Sequence, residues 1–345
     1  MRRLYRQWMY EWETHLAERD TNRVVRPFEW GLEWMQDWPL VDGQWRNLAG
    51  AEAEIFVRDL NHRIVSESDC FFAYDTPDDF RLAGDDLRFT SPVRTPYAEN
   101  NLVMARWFPT RGSRAVAILP QWNADAESHI GLCRIFNWLG ISALRLSLPY
   151  HDVRKPAEIE RADYAVSSNI ARTMDACRQA VADVRSCLDW LESRGYHQLG
   201  IVGTSLGSCY AFIASAHDQR LKVNVFNHAS TYFADVVWTG QSTRHIRAGI
   251  EGDINLDRLR KAWLAISPAS YFDKFATYPK KSLLVYARYD LTFPPELSRE
   301  IIAAFRRRNL DYRVAVLPCG HYSSGATPFK FLDAWHIARF LESAF

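Results

Sequence analysis

Five residues with the right spacing for nucleophilic chemistry stand out: Gly203-Thr204-Ser205-Leu206-Gly207. The run 197–203 before them reads as a strand. The run 206–216 after them reads as a helix, with Leu206, Tyr210, Ile213 and Ala214 on one face. A serine between the two must sit on a very tight turn. Glycine two residues before it and two after allows the strand and helix backbones to pass too closely for side chains. Such a turn lifts the hydroxyl clear of the sheet and leaves the Leu206 N–H beside it to hold a developing oxyanion.

A serine hydroxyl attacks only with a base in reach, and the base needs a carboxylate to hold its tautomer. Both partners lie downstream. The apolar run 281–287 ends in Arg288-Tyr289-Asp290, and the run 312–317 is followed by Pro318-Cys319-Gly320-His321. The expected triad is Ser205 as nucleophile, His321 as base and Asp290 as orienting acid. Each falls just past a different strand, the end of an open parallel sheet where ligands bind. The rival carboxylates Asp235 and Asp253 lie in an insertion, and Asp311 precedes a strand.

Around the triad stand an apolar run at 114–119, a helical pattern at 127–139, a strand at 141–148 and a long helix at 167–194 that Gly195 ends. Further strands at 221–226, 281–287 and 312–317 follow, with a helix at 297–307. The final helix is expected to open with Thr327 as cap and Pro328 in its first position. Strand–helix alternation of this kind means a mostly parallel sheet with helices on both faces, an α/β fold. Segments 86–93 and 99–108 read as antiparallel strands that open the sheet.

Two regions break the alternation. Residues 229–280 form a helical, aromatic-rich insertion over the strand ends, a lid or pocket wall in which Trp238 is the expected lining side chain. Residues 1–85 form an N-terminal extension before the main domain at 86–345. Six of the 13 tryptophans fall in its first 45 residues, which argues for packed structure there. Leu4, Tyr5, Trp8, Met9, Trp12 and Leu16 share one helical face, expected to pack on this protein's own body or a second subunit in preference to a membrane surface.

Composition excludes several classes. The 42 basic and 41 acidic residues nearly cancel, so no global field recruits nucleic acid. The six cysteines (70, 133, 177, 187, 209, 319) show neither a C-x-x-C pair nor zinc spacing and read as reduced core residues. The opening residues lack the continuous apolar stretch of a secretory signal, and no run is long enough to span a bilayer. The expectation is a soluble, cytoplasmic protein with no metal or organic cofactor.

The Ser205–Asp290–His321 chain order, the elbow and the alternation resemble the α/β-hydrolase superfamily over residues 86–345. Leu148-Pro149-Tyr150-His151-Asp152-Val153-Arg154-Lys155-Pro156 is similar to the P-[FY]-x-x-x-R-K-P segment of the branch called α/β-hydrolase domain-containing protein eighteen. That likeness implies a serine hydrolase of acyl esters, lipid esters among them. Many superfamily members carry His-Gly where this chain has Leu119-Pro120-Gln121-Trp122-Asn123. A backbone N–H serves the oxyanion whatever its side chain, and the expected donors are Leu206 and Trp122, with Gln121 second. Gln121, His151 and Trp238 are the expected substrate contacts. Arg154 and Lys155 read either as an anion site or as a solvated loop, and His228 either lines the pocket or is a buried, hydrogen-bonded histidine.

The resulting reading is a carboxylic ester hydrolase working through an acyl-enzyme. An acyltransferase would use the same triad with an alcohol acceptor. A scaffold on the same fold is disfavoured because all three triad residues are present.

Overall fold

Nine strands build the frame: β1 (Arg81–Ala83), β2 (Asp86–Thr90), β3 (Leu102–Phe108), β4 (Arg114–Leu119), β5 (Ser142–Leu146), β6 (Gln198–Thr204), β7 (Leu221–Asn227), β8 (Lys281–Ala287) and β9 (Asp311–Leu317). The computed structural model describes residues 2–345 and arranges them as one sheet in the order β1-β2-β3-β5-β4-β6-β7-β8-β9. β1, β2, β3 and β5 pair antiparallel, and β5, β4 and β6 to β9 pair parallel. The sheet therefore starts at Arg81, inside the segment the sequence assigns to the extension. β4 has β5 on one side and β6 on the other, so successive crossovers leave in opposite directions and open a crevice at the strand ends.

The inner parallel strands are apolar on both faces because helices cover both, while the edge strand β9 is largely exposed. The larger core packs the helices Ile170–Ser193 and Leu206–His217 against one face, and a smaller core packs Ile130–Trp138 and Phe329–Ala344 against the other. The Asn169 side chain caps the long helix by accepting from the Arg172 N–H, and Gly195, at φ 88°, turns the chain away after it. At the C-terminal helix the start differs from expectation by one residue: Pro328 is the cap and Phe329 the first helical residue.

The N-terminal helix Arg2–Glu18 buries Met9, Glu13 and Ala17, with Tyr5 and Trp12 beside them, while Leu4 and Trp8 face solvent. The buried face is thus rotated from the one the apolar spacing predicts, because a carboxylate, Glu13, is part of it. The helix Gly50–Ser66 packs against the 229–280 insertion. Its Asn61 donates to the Ala262 carbonyl and accepts from the Ala265 N–H (both 2.8 Å). The insertion, with helices Phe233–Thr239, Arg244–Ile250 and Leu256–Ala262, is thereby pinned as a wall. No described helix is long and apolar enough to cross a membrane.

Candidate active site

Ser205 sits between β6 and the helix Leu206–His217 with φ 56° and ψ −117°, a conformation a residue with a side chain adopts only under constraint. The constraint is visible. A Cβ on Gly203 would collide with the Gly207 carbonyl, and one on Gly207 would collide with the carbonyls of Leu119 and Pro120. Both glycines let three backbone segments close on one point. The Ser205 N–H donates to the Asn227 carbonyl (2.8 Å), and the Ser208 hydroxyl donates to the Ser205 carbonyl (2.7 Å). Ser205 is buried, and its hydroxyl has no hydrogen-bond partner among the described residues.

Past the end of β8, Asp290 is buried, and the Thr292 and Phe293 N–H groups donate to its Oδ1 (2.7 and 2.6 Å). Its Oδ2 accepts from His321 Nδ1–H at 3.1 Å. The same oxygen accepts from His228 Nδ1–H at 2.8 Å. A carboxylate can only accept, so both imidazoles present Nδ1–H to it. Burial alone would push the Asp290 carboxyl up, but the His321 charge and the bonds from His228 and His321 hold it well below the usual carboxylate range. Burial likewise pulls the His321 imidazole down, and Asp290, with a smaller push from Glu13, more than reverses it. His321 Nε2 has no described partner, and the ring stacks on Phe293 (5.5 Å, 10°).

His228, Asp290 and His321 are also the one described group with metal-ligand spacing, their ligand atoms lying within 4.8 Å of one another. The two Nδ1 atoms spend their positions there as hydrogen-bond donors, whereas a cation would need their lone pairs.

The loop after β4 brings the other backbone donors. The Asn123 N–H is taken by His151 Nε2 (3.0 Å) and the Ala124 N–H by the Gln121 carbonyl. The Gln121 and Trp122 N–H groups have no acceptor among the described residues. Trp122 is fixed on three sides: its indole N–H donates to the Ala162 carbonyl (2.9 Å), His245 stacks on it at 3°, and the Arg161 guanidinium lies 5.2 Å above it.

The 149–156 segment explains itself through this loop. His151 is buried, donates from Nδ1 to the Pro149 carbonyl (2.8 Å) and accepts at Nε2, so it holds the loop and does not reach the cavity. Burial lowers its pKa to about 4, which keeps Nε2 free to accept. Arg154 is enclosed, paired with Asp183 at 2.8 Å and donating to the carbonyls of Asn100 and Ser147. It is a buried strut, which removes the anion-site reading; Lys155 donates to the Glu160 carbonyl.

A cavity of about 50 Å³ lies over Ser205, lined by Trp122, Leu206, Phe233, Val236, Val237 and Phe293 among others. Trp238 does not line it. The helix Phe233–Thr239 turns Phe233, Val236 and Val237 inward, and Trp238, a step of about 100° past Val237, lies under the Arg247 guanidinium 5.0 Å away. Gln121 does not line it either. Of the two readings of His228, the buried, hydrogen-bonded histidine is the one found, with Asp290 as its partner. Glu13 is the residue of this site that sequence reading did not place, since no local pattern marks a carboxylate that a distant loop will meet.

Residues 135–287 match the sequence family described as alpha/beta hydrolase domain containing 18. No curated protein matches the chain. Among solved structures, the acetyl xylan esterase from Paenibacillus sp. R4 superposes with a TM-score of 0.59 at 13% identity, over 91% of this chain and 99% of that one. The Pyrococcus furiosus esterase Pf2001 gives 0.52 at 14%, over 79% and 99%. An acylaminoacyl peptidase from Pyrococcus horikoshii gives 0.58 at 12%, over 76% of this chain but 41% of the peptidase. At these identities the likeness is one of fold.

Proposed function

We propose that this chain, an α/β hydrolase by fold, is a serine ester hydrolase. The observation that carries the reading is Ser205 itself: a buried serine at φ 56°, held there by two glycines whose Cβ positions are filled by backbone, at the floor of an apolar cavity. In this reading the Ser205 hydroxyl gives its proton to His321 Nε2 as the oxygen attacks the ester carbonyl. The Leu206 and Trp122 N–H groups receive the oxyanion, the donors being fixed before the charge develops. Asp290 holds His321 with Nδ1 protonated and Nε2 free, and stabilises the imidazolium. The proton then passes from Nε2 to the departing alkoxide, leaving an acyl-Ser205 ester. Water, deprotonated by the same nitrogen, cleaves that ester and restores the serine. The Ser205–His321–Asp290 order, the two free donors and the apolar acyl cavity support ester cleavage.

The test is labelling with a fluorophosphonate and turnover of p-nitrophenyl butyrate. Wild type should do both, and Ser205→Ala should lose labelling and about 10³-fold or more of turnover. Retained turnover in pure Ser205→Ala protein would overturn the reading.

A further inference from the structure

One oxygen of Asp290 serves two histidines. Oδ1 is committed to the Thr292 and Phe293 N–H groups, and Oδ2 accepts from His228 at 2.8 Å and from His321 at 3.1 Å. Four donors saturate the carboxylate. The shorter bond goes to the histidine that the proposed reaction does not use.

His228 is held for this contact at a conformational cost. It follows β7 directly with φ 56°, uncommon for a residue with a side chain. Its N–H donates to the Val285 carbonyl and its carbonyl accepts from the Ser208 hydroxyl (both 2.8 Å). That hydroxyl also donates to the Ser205 carbonyl, so one side chain ties the elbow to the second histidine. The His228 ring is 1% exposed and sits 4.5 Å from the His321 ring at 62°. Its Nε2 is enclosed and without a partner.

We propose that His228 is a positioning residue of the triad: its Nδ1–H fixes Asp290 Oδ2 and takes up part of the oxygen's charge, which limits the basicity of His321. The inference rests on the Ser205–His321–Asp290 reading above. A carboxylate that gives one oxygen to two donors attracts each proton less than one that serves a single donor. The other ionisable groups around the pair are Glu13 and Tyr322 beside His321, Cys319 near Asp290, and Asp333, which accepts from Asn227 (2.8 Å). Asp290 and Glu13 both raise the basicity of His321. His228 opposes them through Asp290, so that Nε2 stays available near neutral pH.

The experiment is the pH profile of kcat/KM on p-nitrophenyl butyrate for wild type, His228→Leu and His228→Asn. Leucine removes the donor at similar size, and asparagine keeps an N–H donor as many bonds from the backbone as Nδ1. The acid limb of His228→Leu should move up by about half a unit to one unit, and kcat should fall about tenfold with KM within about twofold. His228→Asn should return the limb toward wild type. If His228→Leu does not fold, His228→Ala, which also lacks the donor, carries the same expectation. An acid limb that stays put or moves down overturns the proposal, as does an asparagine variant indistinguishable from leucine. A wild type without Ser205-dependent turnover overturns the triad reading, and this inference with it.

Discussion

Glu13 fills the place that a side chain at position 320 would need: a Cβ on Gly320 would collide with the Glu13 carboxyl group. From that place its two oxygens accept from the Tyr322 N–H (2.9 Å) and the Ser323 N–H (2.6 Å), the two residues after His321. The same helix reaches the neighbouring loops, with the Tyr5 hydroxyl donating to the Pro318 carbonyl (2.5 Å) and the Tyr5 ring packed on Tyr289. An element at the start of the chain thus shapes the loops that carry His321 and Asp290.

Glu13→Ala should leave two N–H groups without an acceptor, each costing about 1–3 kcal/mol where buried. The expected outcome is a lower Tm and a kcat/KM reduced about 10- to 100-fold, since the His321 loop loses its anchor. Gly320→Ala should give the same direction, because it displaces Glu13. Thermal unfolding and ester kinetics on both variants check this, and wild-type activity in Glu13→Ala would separate the helix from the site.

The acid limb of kcat/KM should lie above the ordinary histidine value of about 6.5. The sign follows from the chemistry: the base works only when Nε2 is free, so activity is lost as pH falls through the raised pKa of His321. Because Glu13 contributes to that elevation, Glu13→Gln should shift the limb down, opposite in direction to His228→Leu. Profiles across pH 5–9 (roughly the range in which a histidine base titrates) measure both.

Asp290→Asn should fold and lose about 10³- to 10⁴-fold in kcat, because an amide no longer enforces Nδ1–H on His321. Circular dichroism and turnover settle it, and full activity would assign the acid elsewhere.

His151→Phe should lower kcat about 10- to 100-fold with little change in KM. It removes the acceptor of the Asn123 N–H and so the aim of the neighbouring Trp122 donor. An unchanged kcat would take the 149–156 segment out of the catalytic argument.

The cavity of about 50 Å³ has room for roughly three to five water-sized groups, taking about 10–15 Å³ for each. Specificity should rise from acetyl to butyryl, by about fourfold per CH₂ at roughly 0.8 kcal/mol each, and fall by hexanoyl. Val237→Ala should move the optimum to longer chains, and Trp238→Ala should leave the profile unaltered. A p-nitrophenyl ester series measures this, and a peak at acetyl would point to a small-acyl enzyme.

What the sequence by itself determined is what depends on neighbours along the chain. Gly203 and Gly207 mark a turn that only glycine permits, so the elbow was legible in five residues. The apolar run at 281–287 is β8 to the residue, because a parallel strand buried on both faces carries its signal in composition alone. The run before His321 is β9, extended by Asp311; it is the edge strand, and its buried residues are Ala315 and Leu317. Tertiary structure decided what depends on meetings across the chain. A half-turn of helix separates Val236, on the cavity wall, from Trp238, which is off it, and no local pattern says which way that helix is turned. Glu13 gains its role only when Tyr322 and Ser323 are brought to it. Arg154 reads as an anion site or as part of a solvated loop until Asp183 meets it in the core. His228 becomes a partner of Asp290 only when β7 and β8 lie side by side, because a buried polar group takes its meaning from the group that satisfies it.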